Sequence, residues 1–201
     1  MTAPQTARRG RPGYSREQVL QIAVALFNEQ GYDATSVSDL ATRLGLTKSA
    51  LYHHFDSKEQ LLELALDSAL GGLEGALDAA MEHDAVAEQL NEAIRGAVRV
   101  LTAQQPQVTL LLRLRGNSPV ELAALQRRRA FDQRLSSLVR RAQHEGLLRD
   151  DIGAGTITRL IFGMINSIVE WYRADGAIDP QGLADDVLSV AIDGLRRPTA
   201  R

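Results

Sequence analysis

Two short amphipathic segments joined by a glycine, in the stretch LATRLGLTKSALYHHFDSK, constrain the fold of this chain more than any other feature. The first begins after Ser36 and ends before Gly45, and the second begins after Thr47. Each is only about two turns long, and isolated helices of that length are unstable in water. They must therefore pack against neighbouring helices. Two short helices joined at a glycine are typical of a helix-turn-helix, which we predict at about residues 36–55.

The segments on either side can supply that support. Ser15 and Gln18 form a capping-box pattern. Apolar residues then recur at helical spacing as far as Gly31, which we expect to end the helix in the left-handed conformation. After the helix-turn-helix, a long amphipathic stretch begins at Lys58.

Helical periodicity continues through the rest of the chain, and no alternating strand pattern occurs. The sequence therefore predicts an all-α fold of about nine helices. We expect a three-helix head at residues 15–60, a helical body at residues 61–201 and a flexible basic arm at residues 1–14.

Several classes of function are excluded by what the sequence lacks. It has no cysteine, which excludes thiol catalysis and disulfides. It has no GxSxG, no HExxH and no Gly-rich phosphate loop, so no pattern predicts an enzyme. The four histidines have no convergent partners, so we predict no metal and no cofactor. No window approaches the roughly 18 apolar residues of a membrane span, and the N-terminal segment does not resemble a secretory signal, so we expect a cytoplasmic protein.

Charge is distributed unevenly along the chain. Residues 1–58 carry seven Lys or Arg and five Asp or Glu, a net charge of +2, whereas the remainder carries 16 and 20, a net charge of −4. A locally basic end can bind a polyanion although the whole chain is acidic. Part of the excess positive charge lies in the arm, in Arg8, Arg9 and Arg11. These arginines can contact a polyanion, or they can serve only to keep a disordered arm soluble.

The second short helix has one apolar and one polar face. With Leu51 and Phe55 turned inward, it displays groups that are small or flat enough to enter a major groove and meet base edges. These groups belong to Lys48, Ser49, Tyr52 and His53. Two alternatives are that Tyr52 only packs its ring against the head and that the neighbouring His54 is structural.

The stretch QIAVALFNEQGYDATSVSDLATRLGLTKSALYHHFDSKEQLL resembles the N-terminal domain of the tetracycline-repressor (TetR) family of bacterial transcription regulators. The matching features are ALF, then GYDATSV, then LA ahead of LGLTKSALYHHFDSKEQLL, in the order and at the spacing of the family. The rest of the chain matches the family only in length and helical plan. The resemblance implies a homodimeric repressor that binds palindromic double-stranded DNA and leaves it when a small-molecule effector binds.

The resemblance also implies roles for individual residues. The residues implied to read bases are Lys48, Ser49 and His53. The residues implied to contact phosphates are Ser36, Thr47, Tyr52 and Lys58, with Ser36 acting from a helix N-terminus, which attracts anions. The residues that resemble the family's N-terminal arm are Arg8, Arg9 and Arg11.

The last two predicted helices carry more apolar surface than one helix pair can hide internally. Tight binding to a palindrome needs a two-fold dimer, and the resemblance implies that these helices form a four-helix interface between two copies. We predict interface residues Ile157, Ile161, Met164, Ile165 and Ile168 in the first helix and Val187, Ala191 and Leu195 in the second. The alternative is that these helices only complete the core of a monomer.

A ligand pocket is expected in the body, with the candidates Arg113, Arg115, Asn166, Glu170 and Trp171. The two arginines can meet a carboxylate or phosphate of the ligand, or pair with Glu121 instead. The segments NSIVEWYRADGAI and AQHEGLLRDD resemble the lipid-, sterol- and acyl-CoA-responsive branch of the family, which suggests acyl-CoA or fatty acid as effector. The run Arg127–Arg129 is expected to be a solvated helix face. A DNA-binding protein without a ligand is the rival hypothesis.

Overall fold

The computed structural model describes residues 14–195, which form nine α-helices and no β-strand. The helices are α1 (Arg16–Gln30), α2 (Val37–Leu44), α3 (Lys48–Tyr52), α4 (Lys58–Ala80), α5 (Val86–Ala103), α6 (Gln105–Leu112), α7 (Pro119–His144), α8 (Ala154–Trp171) and α9 (Pro180–Leu195). The prediction of an all-α fold is confirmed for this part of the chain. No helix within it combines the length and apolar character that crossing a membrane requires.

Each helix of the head begins at a side-chain cap. Ser15 Oγ accepts a hydrogen bond from the Gln18 backbone N–H at 3.1 Å, and Thr47 accepts one from the Ala50 N–H at 3.1 Å. α2 ends at Gly45, whose φ of 64° and ψ of 32° are left-handed values that glycine adopts without a Cβ clash. This turn sets the direction in which α3 leaves α2.

The helix before them ends differently from the prediction. Gly31 has φ 90° and ψ 144°, a positive φ outside the left-handed helical region. Its N–H donates to the Phe27 carbonyl at 2.9 Å, and the Thr35 hydroxyl donates to the Gly31 carbonyl at 2.7 Å. The chain therefore ends α1 without the left-handed helical residue that was predicted, and Gly31 begins the connection to α2.

The short helices share one apolar core with α1 and α4. Its most buried members include Val19, Phe27, Leu40, Leu51, Phe55 and Leu61. Burial of a Leu or Phe side chain stabilises a fold by about 2 kcal/mol. This shared core holds the head together, because helices as short as α2 and α3 are not stable alone.

α4 belongs to both the head and the body. It packs against α1 in the head and against α5, α6 and α7 in the body, so the boundary predicted after residue 60 falls inside one continuous helix. α4 and α5 approach each other closely, since a Cβ atom at Gly96 would lie 2.9 Å from Ala76 Cβ. A larger residue at that position would force the two helices apart.

Ion pairs join α7 to α4. Arg127 donates to Glu74 through Nε at 3.1 Å and Nη2 at 2.8 Å, and to Asp67 through Nη1. Arg134, two turns later, donates to Asp78. These groups remain partly solvated, so the pairs fix the orientation of α7 on α4 more than they stabilise the fold.

Candidate functional site

α3 presents its polar residues to solvent. Lys48, Ser49 and His53 are exposed, and Tyr52 is 51% exposed. On the opposite side of the same segment, Leu51 is buried in the core of the head. This arrangement leaves a polar surface of one α-helix free to enter a groove, and the exposed ring of Tyr52 disfavours a role that is only packing.

The N-termini of α2 and α3 lie beside this surface. The hydroxyl of Ser36 accepts a hydrogen bond from Asp39 N–H at 3.2 Å and donates to Asp39 Oδ2 at 2.6 Å. Its donor is thus engaged, and the N–H groups that begin α2 are the better candidates for an anion. Thr47 is exposed at the cap of α3. Arg16, which no sequence pattern singled out, places its guanidinium 5.0 Å from the centre of the Phe55 ring, next to α3.

The structure gives Lys58 partners that the sequence did not predict. Its ammonium donates to the carbonyl oxygens of Tyr32 and Thr35, each at 3.0 Å, and lies 4.1 Å from the centre of the Tyr32 ring. Two of its three donors therefore hold the α1–α2 connection against the start of α4. Because these contacts engage most of its donor capacity, we propose a structural role for Lys58 in the head, and the phosphate contact stays a prediction.

The predicted arm residues Arg8, Arg9 and Arg11 lie outside the described residues. Among the residues that the structure describes, no group of three His, Asp or Glu side chains could hold a metal ion.

A cavity of about 560 Å³ lies in the body, between α4, α6, α7 and α8. Its volume falls within the range of small-molecule sites. The apolar wall consists of Leu70, Leu73, Val108, Leu111, Leu112, Phe131 and Phe162. The rings of Phe131 and Phe162 meet edge to face, with centroids 5.7 Å apart, so α7 and α8 close this wall together.

The polar part of the cavity lining is mainly cationic. α7 supplies Arg128 and Arg129, and α8 supplies Arg159. Asp132 is the acidic member, and the uncharged polar lining residues are Gln133, Ser136, Thr158 and Asn166. Apolar and cationic surfaces that face one space suit a ligand with an apolar body and an anionic group.

Of the five pocket residues predicted from the sequence, only Asn166 lines the cavity. Arg113 instead donates to the backbone carbonyl of Asn28 at 2.8 Å and so joins α6 to α1. Arg115, Glu170 and Trp171 are exposed and lie outside the cavity wall. These four predictions were wrong because polar residues among apolar neighbours can face solvent as well as a pocket.

Glu121 has a different partner from the one considered for it. Its buried carboxylate accepts hydrogen bonds from the backbone N–H groups of Arg115, Gly116 and Asn117, at 3.1, 2.7 and 3.1 Å. It therefore holds the loop before α7 without pairing with a guanidinium.

The arginine run at residues 127–129 is at least partly exposed, as predicted, but it also makes contacts that were not predicted. Successive helical residues point about 100° apart, because an α-helix has 3.6 residues per turn. Arg127 therefore reaches α4, whereas Arg128 and Arg129 line the cavity. The signal that could have identified this run is the set of carboxylates Asp67, Glu74 and Asp78, which lie at helical spacing on α4.

The residues chosen for the dimer interface need a similar correction. Most of them are buried within the chain itself: Ile157, Ile161, Ile165, Ile168, Val187 and Ala191. Met164 is partly buried, and the side chain of Leu195 is not among those described. A side chain buried in its own subunit cannot be the contact surface of another, so these six residues form the monomer core.

α8 and α9 also carry three large apolar side chains that are exposed, and we call their positions the exposed face of α8 and α9. Leu160 is 62% exposed and Val190 is 67% exposed. Trp171, at the end of α8, is 47% exposed. These side chains are candidates for a contact with another protein surface.

Family models match both parts of the chain. Residues 19–65 match the model described as bacterial regulatory proteins, tetR family, and residues 83–195 match the tetracyclin repressor-like, C-terminal domain. The HTH-type transcriptional repressor KstR2 of Rhodococcus jostii is 29% identical, over 98% of this chain and 99% of its own.

Solved structures share the whole architecture. SCO3833 of Streptomyces coelicolor A3, a member of the TetR transcriptional regulator family, superposes with a TM-score of 0.83 at 42% identity, covering 96% of this chain and 94% of its own. The ketosteroid transcriptional regulator KstR2 of Mycobacterium tuberculosis superposes with a TM-score of 0.82 at 25% identity, covering 94% and 98%.

Proposed function

This chain belongs to the TetR family of bacterial transcription regulators, and from this premise we propose that it is a homodimeric repressor released from its operator by a small molecule. The observation that carries the proposal is the exposure of Lys48 and Ser49 on α3 and of His53 directly after it, while the opposite side of the segment packs into the core of the head. The repressor function of the KstR2 relative supports the direction of the regulation.

In the proposed complex, α3 lies in the major groove of double-stranded DNA. Lys48, Ser49 and His53 contact base edges, while Tyr52, Thr47 and the N-terminus of α2 at Ser36 contact phosphates. The arm with Arg8, Arg9 and Arg11 contributes further phosphate or minor-groove contacts. We place the DNA-binding head at residues 15–60 and the ligand-binding and dimerisation body at residues 61–201, with α4 shared between them.

Replacement of Lys48 by alanine tests this assignment. We expect Lys48→Ala to weaken binding to the preferred operator by about tenfold or more and to relax the preference at one base pair, since a base contact discriminates by about 1–3 kcal/mol. Tyr52→Ala is the matched comparison on the same helix. It should weaken binding to all duplexes alike, because a phosphate contact carries no sequence information.

The measurement is fluorescence anisotropy with the operator and a set of single-base variants, at several salt concentrations. A Lys48→Ala protein that keeps the wild-type order of preference among these duplexes would remove Lys48 from the base-reading set. The melting temperatures of both variants should match the wild type, because both side chains are exposed.

Dimerisation is proposed to use the exposed face of α8 and α9. Two copies of that face, related by a two-fold axis, would bring Leu160 and Val190 of one subunit near the same helices of the other. The exposure of both side chains supports this interface better than the isoleucines of the monomer core.

The effector is proposed to be an amphiphilic anion, with a fatty acid or an acyl-CoA as the leading candidates. The apolar wall suits an acyl or polycyclic body, and Arg128, Arg129 and Arg159 suit a carboxylate or phosphate. Leu70 and Leu73, which line the cavity, belong to the helix that begins in the head.

Coupling between the cavity and the head is proposed to pass through α4. The effector shifts the population towards dimers in which α4 is tilted and the two α3 helices no longer match successive major grooves. The ion pairs of Arg127 and Arg134 would transmit movement of α7 to α4. Each 1.4 kcal/mol of differential binding changes operator affinity about tenfold.

A further inference from the structure

Asp132 is the one acidic side chain in the described wall of the cavity, and it lies among arginines. It follows Arg128 by one turn of α7, so the two side chains lie on the same side of the helix. Arg129 on α7 and Arg159 on α8 are the remaining charged groups of the wall. The residues from α4 and α6 are all apolar, namely Leu70, Leu73, Val108, Leu111 and Leu112.

The surroundings of Asp132 act on its charge in opposite directions. Its side chain is partly accessible to solvent, and the surrounding protein excludes part of the water that would hydrate an ionised carboxylate. This burial raises the pKa of Asp132, and the guanidinium groups of Arg128 and Arg159 act to lower it. A second anion between the same arginines would remove part of their effect on Asp132.

We propose that Asp132 is a specificity-determining residue that takes up a proton when an anionic ligand binds to Arg128 and Arg159, and then donates a hydrogen bond to that ligand. The inference rests on the proposed function of the cavity as the site of an amphiphilic anion. Three arginines and one ionised aspartate give the wall a formal charge of +2, which becomes +3 when Asp132 is neutral. The proton comes from solvent, and only the O–H bond of Asp132 is formed.

Linkage gives the sign of the pH dependence. Because the bound anion raises the pKa of Asp132, proton uptake accompanies binding, and binding becomes tighter as the pH falls. The dependence is confined to the interval between the pKa of Asp132 in the free protein and its higher pKa in the complex. Above that interval Asp132 stays ionised and repels the ligand.

Decane-1-sulfonate is a suitable probe because its head group stays anionic at any pH used for a protein. Titration calorimetry of the full chain, from about pH 5 to about pH 8 in two buffers that differ in ionisation enthalpy, measures affinity and proton uptake together. For the wild type we expect proton uptake and an affinity that rises with falling pH, by at most about tenfold per pH unit.

Asp132→Asn should bind the sulfonate about tenfold more tightly than the wild type near neutral pH, with no proton uptake, since like charges nearby weaken binding. Asp84→Asn removes the same charge from the exposed α4–α5 connection and should behave as the wild type. Arg128→Gln should weaken binding across the pH range. Melting temperatures establish that each variant is folded. The number of protons taken up on binding is measured on the wild type alone, so that test does not depend on any variant.

Two other results would contradict the role of Asp132 and the anion site, respectively. Wild-type binding without proton uptake, together with an unchanged affinity in Asp132→Asn, would refute the role of Asp132 and leave the cavity as an anion site. Failure of the wild type to bind the sulfonate, or equal binding of the neutral analogue decan-1-ol, would refute the anion site itself and the inference with it.

Discussion

The Leu160→Glu protein is expected to sediment as a monomer and to bind operator DNA at least about 100-fold more weakly than the wild type. Leu160 is 62% exposed on α8, so a glutamate there is solvated in the free subunit and leaves the monomer fold intact. In the proposed dimer, each carboxylate would enter an apolar contact, where an unpaired charge is costly. Two-fold symmetry places two such carboxylates in every interface.

Leu122→Glu is the matched control for this substitution. Leu122 is 52% exposed near the start of α7 and lies beside Gly116 in the preceding loop, so the same change should leave the dimer unaffected. Analytical ultracentrifugation gives the mass, and anisotropy on the same samples gives the operator affinity. A dimer of Leu160→Glu with wild-type operator affinity would exclude this face as the interface. A charge at Ile165 would be less informative, because that side chain is 1% exposed and its replacement disrupts the subunit core.

The second large effect is expected at Lys58. Lys58→Ala should lower the free energy of unfolding by about 2 kcal/mol, because it leaves two carbonyl oxygens without their charged donor. Those carbonyls belong to Tyr32 and Thr35, which lie in the connection between α1 and α2. Chemical denaturation measures the loss, and hydrogen exchange should locate the added opening in residues 16–55.

Lys48→Ala is the matched control, since it removes the same side chain from an exposed position in the same head. Its unfolding free energy should equal that of the wild type. If Lys58→Ala instead unfolds as the wild type does, and loses operator affinity with a reduced salt dependence, Lys58 contacts phosphate as first predicted.

The head could be predicted from the sequence because its determinants are local. Ser15, Ser36 and Thr47 cap helices a few residues away, and Gly45 marks the turn by itself. Apolar spacing then fixes which side of α3 is buried, and therefore which side is free for DNA. The contacts of Lys58 within the head could not be predicted because its partners are backbone carbonyls, which every residue type carries.

The body could not be predicted to the same depth because α8 has two apolar faces. Periodicity identifies Ile161 and Leu160 alike as apolar helical positions, but only tertiary packing decides that the first faces its own core and the second faces outward. The cavity depends on the same packing. Its charged residues Arg128, Arg129 and Arg159 come from two helices that are distant in sequence, so no local pattern links them.

The central claim is that the head presents α3 to a specific duplex, and an equilibrium titration of the wild-type protein tests it most directly. The ligand would be duplex DNA from the region flanking its own coding sequence, compared with a scrambled duplex of equal length and composition. The account predicts a Kd of about 10⁻⁸ M or tighter at physiological salt, at least about 10³-fold tighter than for the scrambled duplex, with affinity falling as salt rises. Equal affinity for both duplexes, or no salt-dependent binding to either, would contradict it.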